Sequence, residues 1–156
     1  MIMVIAESHP SAARFDFDQA KALVAKLAEV KSRRDIESAL SIYHEDATLL
    51  CPPFGSSSRG REQLRRGLEA FYALVPDYGV TLTDYAASDE TLCAWGTISF
   101  TPTKTFRGDP LNGRRVATPV FILFRFRDNR IVWESFHFDL GDVARQSGVS
   151  SAAFDR

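Results

Sequence analysis

A chain of 156 residues with 45% hydrophobic and 25% charged side chains has the composition of one globular domain and is long enough to bury a core. Its formal net charge of −1 provides no basic footprint for nucleic acid and no polybasic segment for an anionic membrane, so neither partner is expected. The opening run MIMVIA ends at Glu7, too short for the apolar core of a secretion signal, which makes the cytoplasm the expected location. Cys51 and Cys93 stand far apart, outside any metal or redox spacing, and read as buried thiols.

Residues 1–15, which include His9 before Pro10, hold no period and read as a flexible arm ahead of one domain over 16–150, with 151–156 as a flexible tail. From Asp16 the spacing of Ala20, Leu23, Leu27 and Val30 predicts a first helix, capped by Asp16 or Asp18. Asp35 is placed to cap a second, short helix carrying Ile36, Leu40 and Tyr43, with His44 as a solvated residue at its end. Thr48 to Cys51 reads as a short buried strand stopped by Pro52 and Pro53, and FGSSSRG reads as a loop. Leu64, Leu68, Phe71, Tyr72 and Val75 mark a third helix that Pro76 ends. Beyond it the pattern alternates, first at Tyr78, Val80 and Leu82, then at Leu92, Ala94, Gly96, Ile98 and Phe100. Residues 101–113, with two prolines and two glycines, form a long connection of the kind that borders sites. Helices followed by adjoining strands predict an α+β fold, not a parallel α/β sheet.

The stretch from Val116 to Leu140 has Asp128-Asn129 at its middle, and both residues tolerate the positive φ of a two-residue hairpin turn. Regular pairing from that turn sets Phe126 opposite Ile131, Phe124 opposite Trp133, Ile122 opposite Ser135, Val120 opposite His137 and Thr118 opposite Asp139. All of these then share one face, expected to be the interior. Asp139 and His137 are the candidate catalytic pair, with Trp133, Ser135, Thr118 and Phe124 lining the pocket. The same His-x-Asp spacing also suits a structural hydrogen-bonded pair, and Asp139 is placed to cap a helix over 141–146. The opposite face would carry Pro119, Phe121, Leu123, Val132, Phe136 and Phe138, an apolar patch that predicts a homodimer.

Several stretches together resemble the SnoaL-like polyketide cyclase family over roughly residues 35–149. They are Tyr43-His44-Glu45-Asp46, Pro52 before the Gly60 loop and helix, Pro76-Asp77, Trp95-Gly96-Thr97, Gly113-Arg114-Arg115-Val116, and FRFRDNRIVWESFHFD closing with Gln146-Ser147-Gly148. The resemblance implies a cone-shaped, curved antiparallel sheet wrapped over three N-terminal helices, the nuclear-transport-factor-2-like architecture, with an apolar pocket and a homodimeric state. It also implies a cofactor-independent enzyme in which an Asp at the end of the last strand, here Asp139, is general acid/base in an aldol closure. Ile98 follows Gly96-Thr97 where the family's cyclases often carry His. The expected function is therefore acid/base chemistry of the cyclase or isomerase type on a hydrophobic cyclic or polyketide-like molecule. Epoxide hydrolysis, dehydration, plain ligand binding or dimerisation are the alternatives on the same fold.

Overall fold

The first two helices each begin where an aspartate side chain satisfies a free amide of the first turn. In the computed structural model, which describes residues 16–156, Asp16 accepts a 3.1 Å hydrogen bond from Gln19 N and opens α1, Phe17–Ser32. The predicted arm at 1–15, with His9, lies outside the described residues. Asp35 accepts from Ser38 N at 3.1 Å and from Ser38 Oγ at 2.6 Å, opening α2, Ile36–Ile42. Tyr43 does not complete that helix. It starts β1, Tyr43–Cys51, so His44 sits in a strand, with Nε2 3.3 Å from Asp128 Oδ2. Pairing with a distant strand has overridden the local helical spacing here.

The serine-rich stretch read as a loop contains β2, Ser56–Arg59, which pairs antiparallel with β1 from Thr48↔Arg59 to Cys51↔Ser56. Then α3, Gly60–Leu74, buries Leu64, Leu68, Tyr72 and Leu74 and stops before Pro76, whose ring restricts the residue ahead of it. The remaining strands are β3 (Gly79–Ser88), β4 (Thr91–Phe100), β5 (Val116–Arg127) and β6 (Arg130–Phe138), followed by α4, Leu140–Ser147. They form one six-stranded sheet in the order β2-β1-β6-β5-β4-β3. Neighbours run antiparallel except β1 and β6, which are parallel, so the sheet is mixed where an antiparallel one was expected. The α+β class holds. Helix α1 packs on β3 and α3 on β1 and β2, covering one face of the sheet.

Two irregularities shape that sheet. Gly96 faces a register shift in β3 between Leu82 and Asp84, and a Cβ there would run into the Thr81 carbonyl oxygen and come within 2.9 Å of Leu82 Cα. Only glycine permits this approach. The second irregularity lies in the hairpin. Asp128 and Asn129 do make the turn, with φ of 51° and 57°, and Arg127↔Arg130 and Phe126↔Ile131 pair as expected. The next pair, however, is Arg125↔Trp133, followed by Phe124↔Glu134, Leu123↔Ser135, Ile122↔Phe136 and Phe121↔His137. Val132 is an extra residue in β6, a β-bulge, and it turns over every later side chain of that strand. Glu134 and Phe136 are therefore buried with Ile122 and Phe124. The regular pairing, and with it the shared face of Trp133, Ser135, His137 and Asp139, is corrected.

The long connection and the C-terminus are packed. Thr103 N donates to Leu74 O at 2.9 Å and Phe106 N to Ala153 O at 2.8 Å. The last residues, expected to form a tail, make a 3₁₀ turn over Ser151–Phe154 that buries Ala153 and Phe154, the latter ring 6.3 Å from Phe54 and 6.5 Å from Phe106.

Asp77 ties this connection to the sheet. Its carboxylate accepts from Thr101 N at 2.6 Å, Thr101 Oγ1 at 2.7 Å and Arg115 Nη1 at 2.6 Å. Partial burial pushes its pKa up, but the Thr101 hydrogen bonds and Arg115 outweigh this, and the net shift is downward from 3.8. A carboxylate depressed on folding contributes stability that is complete above its unfolded pKa and is lost as pH falls through the folded one. Thermal melts from pH 7 to pH 2 are thus expected to show an acid limb beginning near pH 3.8. Asp77→Asn should lower the melting temperature at pH 7 and flatten that limb. An unchanged limb would remove Asp77 from the account.

Candidate functional site

The bulge decides which of the sequence-predicted residues meet. Trp133, Ser135 and His137 lie on the sheet face away from the helices, in register with Arg125, Leu123 and Phe121 of β5. Arg125 stacks its guanidinium 5.0 Å from the Trp133 ring, and Ser135 Oγ lies 2.6 Å from His137 Nε2. Asp139 is exposed and caps α4, with its Oδ1 accepting from Asp142 N at 3.1 Å. Thr118 and Phe124 are on the inner face. Thr118 Oγ1 donates to Asp142 Oδ2 at 2.7 Å, and Phe124 walls a small hollow beside Glu134. These six residues do not converge on one cavity.

The side chains that do converge come from four elements. The last turn of α1 delivers Lys31, the first residue of β1 is Tyr43, the turn after α3 carries Tyr78, and β6 beyond its bulge presents Glu134. Glu134 is only 1% exposed. Lys31 Nζ donates to its Oε1 at 3.0 Å and lies 3.4 Å from Oε2, while the Tyr43 hydroxyl donates to Oε2. The ammonium also sits 5.4 Å from the centre of the Tyr43 ring. Tyr72 fixes the helix end by donating its hydroxyl to Lys31 O at 2.9 Å. A buried ion pair of this kind is expensive to desolvate, and removing one partner typically costs about 3–5 kcal/mol.

Lys31 and Glu134 form one wall of an inner cavity of about 60 Å³, lined otherwise by Leu68, Phe71, Tyr78, Phe136 and the hydroxyls of Ser56 and Ser58. Its apolar walls are built by edge-to-face rings, with Phe71 5.0 Å from Tyr78 and 6.3 Å from Phe136. The hollow beside it shares Lys31, Tyr78, Glu134 and Phe136 and extends under α1. Burial, reinforced by the Glu134 charge, raises the Tyr43 and Tyr78 phenols well above 10, so both remain hydrogen-bond donors. Burial also pushes the Cys51 thiol up to about 11, leaving it a neutral wall group. Tyr78 differs from Tyr43 in that its hydroxyl makes no hydrogen bond with any described residue. The wall thus offers a carboxylate, an ammonium and a phenol whose proton no described residue accepts.

A wider cavity of about 520 Å³ shares Ser56, Ser58, Gly67 and Phe71 with the inner one and continues to Phe54, Arg66, Lys104, Phe106 and Arg156. Gly67, inside α3, lets the helix close on β2, since a Cβ there would stand 2.6 Å from Ser58 Oγ. Among the described residues no group of three or more His, Cys, Asp or Glu side chains is placed to hold a metal ion, and no helix is long and apolar enough to cross a membrane.

The sequence did carry traces of this site. Lys31 continues the buried stripe of Ala20, Val24 and Leu27 at helical spacing, and Glu134 interrupts the apolar alternation of Val132, Phe136 and Phe138. Taken separately, each resembles an ordinary surface charge.

Residues 24–134 match the model of the SnoaL-like domain family. No curated protein sequence matches the chain. Among solved structures, a candidate SnoaL-like polyketide cyclase from Jannaschia sp. CCS1 superposes with a TM-score of 0.73 at 14% identity, over 89% of this chain and 96% of that one. IdmH, a candidate polyketide cyclase from Streptomyces antibioticus, gives 0.71 at 24% identity over 84% and 99%. A protein of ketosteroid isomerase-like fold from Catenulispora acidiphila, in complex with trimethylamine, gives 0.72 at 19% identity over 83% and 94%. At these identities the likeness is one of fold.

The two roles open to Asp139 separate experimentally. Asn is as good a helix cap as Asp, so Asp139→Asn should change the urea midpoint little, whereas Asp139→Ala should cost about 1 kcal/mol. Equal losses in both variants would contradict the capping role.

Proposed function

The chain belongs to the SnoaL-like domain family, and on that premise we propose that it is an acid/base enzyme acting on a mostly apolar carbonyl compound whose reacting end enters the inner cavity. One observation carries the reading: a carboxylate 1% exposed in the wall of an aromatic cavity, flanked by an ammonium and phenols. Glu134 takes a proton from the carbon next to the carbonyl. The electron pair of the broken C–H bond moves to the carbonyl oxygen, where Tyr78 or Lys31 donates a hydrogen bond to the enolate. Return of the proton to another carbon gives isomerisation, and attack of the enolate on a second carbonyl gives the aldol closure of a cyclase. Both begin with the same step, which fits the neighbours named as candidate polyketide cyclases. Asp139 and His137 take no part in this reading, because the bulge and the α4 cap hold them elsewhere.

Lys31 and Tyr43 already occupy both Glu134 oxygens, which favours a second reading in which the cavity binds without catalysis. Deuterium exchange at the α carbon of a small cyclic ketone, followed by proton NMR, separates the two. Wild type should accelerate exchange, and Glu134→Gln should lower it about 10²–10⁴-fold. Since Gln leaves the Lys31 ammonium buried without its counter-charge, Lys31→Met/Glu134→Gln serves as the folded control. Exchange no faster than in buffer, with the ketone bound, would select the binding reading.

A homodimer belongs to the same proposal. The outer sheet face aligns Phe121 with Trp95, and Leu123 with Cys93, beside Trp133 and Ser135. Phe136 and Phe138, first assigned to this patch, have moved inside. Phe121 remains 42% exposed, and an apolar face of this kind on a two-fold axis buries itself against its copy. Light scattering is expected to give a dimer that Phe121→Glu splits, whereas a wild-type monomer at micromolar concentration would end this part of the proposal.

A further inference from the structure

The cations around the outer cavity are unlike their neighbours. Arg65, one residue before Arg66, is paired with Glu37, and Arg107 lies 3.7 Å from Asp155. Arg66 and Lys104, which line the cavity, have no ion pair with any described residue. Arg156 lies 5.0 Å from the Phe106 ring and has no salt bridge to the side chain of any described residue. No Asp or Glu side chain is among the lining residues, and Ser56, Ser57, Ser58 and Gln63 add polar groups. A concave surface with several like charges and no counter-charge is a site where an anion is attracted and then held by charge-assisted hydrogen bonds.

We propose that the outer cavity seats an anionic group, a carboxylate or a phosphate, carried by the same molecule whose apolar end enters the inner cavity. The link to the inner cavity rests on the function proposed above, while the anion site stands on its own lining. The volumes fit this division. About 60 Å³ admits only the reacting end of a larger molecule, and about 520 Å³ accommodates a polar remainder beyond Ser56, Ser58, Gly67 and Phe71. The polarity runs the same way, from aromatic walls inside to the cations Arg66, Lys104 and Arg156 outside.

Amide NMR titrations of the full chain with hexanol, hexanoate, hexyl phosphate and inorganic phosphate test this. Hexanoate and hexyl phosphate are expected to bind at least about tenfold more tightly than hexanol at low salt, with the advantage shrinking at high ionic strength. The tighter of the two identifies the anion. Arg66→Ala/Lys104→Ala, both exposed positions, should abolish the advantage and leave hexanol binding unchanged. Equal binding of hexanol and the two anions, or an advantage that survives the double substitution, would overturn the proposal. If inorganic phosphate shifts the Ser58 and Gly67 amides while hexanol leaves Leu68 and Phe136 undisturbed, the anion site stands and the inner-cavity reading fails.

Discussion

Val132 falls between two cross-strand pairs of the last hairpin, and the orientation of every side chain from Trp133 to Phe138 follows from that one extra residue. In a strand the faces alternate with a period of two, so one insertion exchanges the buried and exposed sets. The bulge turns Glu134 and Phe136 toward the helices and sends Ser135 and His137 to the far side. The inner cavity, its charged wall and the composition of the outer sheet face all depend on it.

Turning a glutamate inward would leave an unpaired charge in the core, a conflict that α1 resolves with its own anomaly. Lys31 lies on the buried stripe of that helix, and its stem reaches along apolar surface to place the ammonium on Glu134. The hydrogen bonds from Lys31 and Tyr43 offset part of the cost of desolvating the carboxylate. It also connects α1 to β6, residues 103 positions apart, which makes the packing of the helix specific as well as apolar.

The same sheet presents different chemistry on its two faces. Toward the helices, aromatic rings enclose a small cavity that ends in a carboxylate and opens toward the cations Arg66, Lys104 and Arg156. Away from them, Trp133 lies under Arg125 and Ser135 contacts His137 beside the exposed Phe121. The Ser135–His137 contact of 2.6 Å has the spacing of a nucleophile and its base, but it lies on the outer face, outside the lining of either cavity.

Local chemistry was enough to determine much of this protein. Capping aspartates placed α1 and α2, Pro76 ended α3, Asp128-Asn129 made the hairpin turn, and the run of helices before strands gave the α+β class. Each of these features depends on residues a few positions apart. Contacts made only in three dimensions decided the rest. Tyr43 became a strand residue because β6 runs parallel beside it, and the serine-rich Ser56–Arg59 became a strand because β1 offered it an edge. Val132 became a bulge with no glycine or proline to mark it. Glu134 and Lys31 look like surface charges until the fold sets each against the other, because the free energy that permits their burial belongs to the pair and to neither sequence neighbourhood.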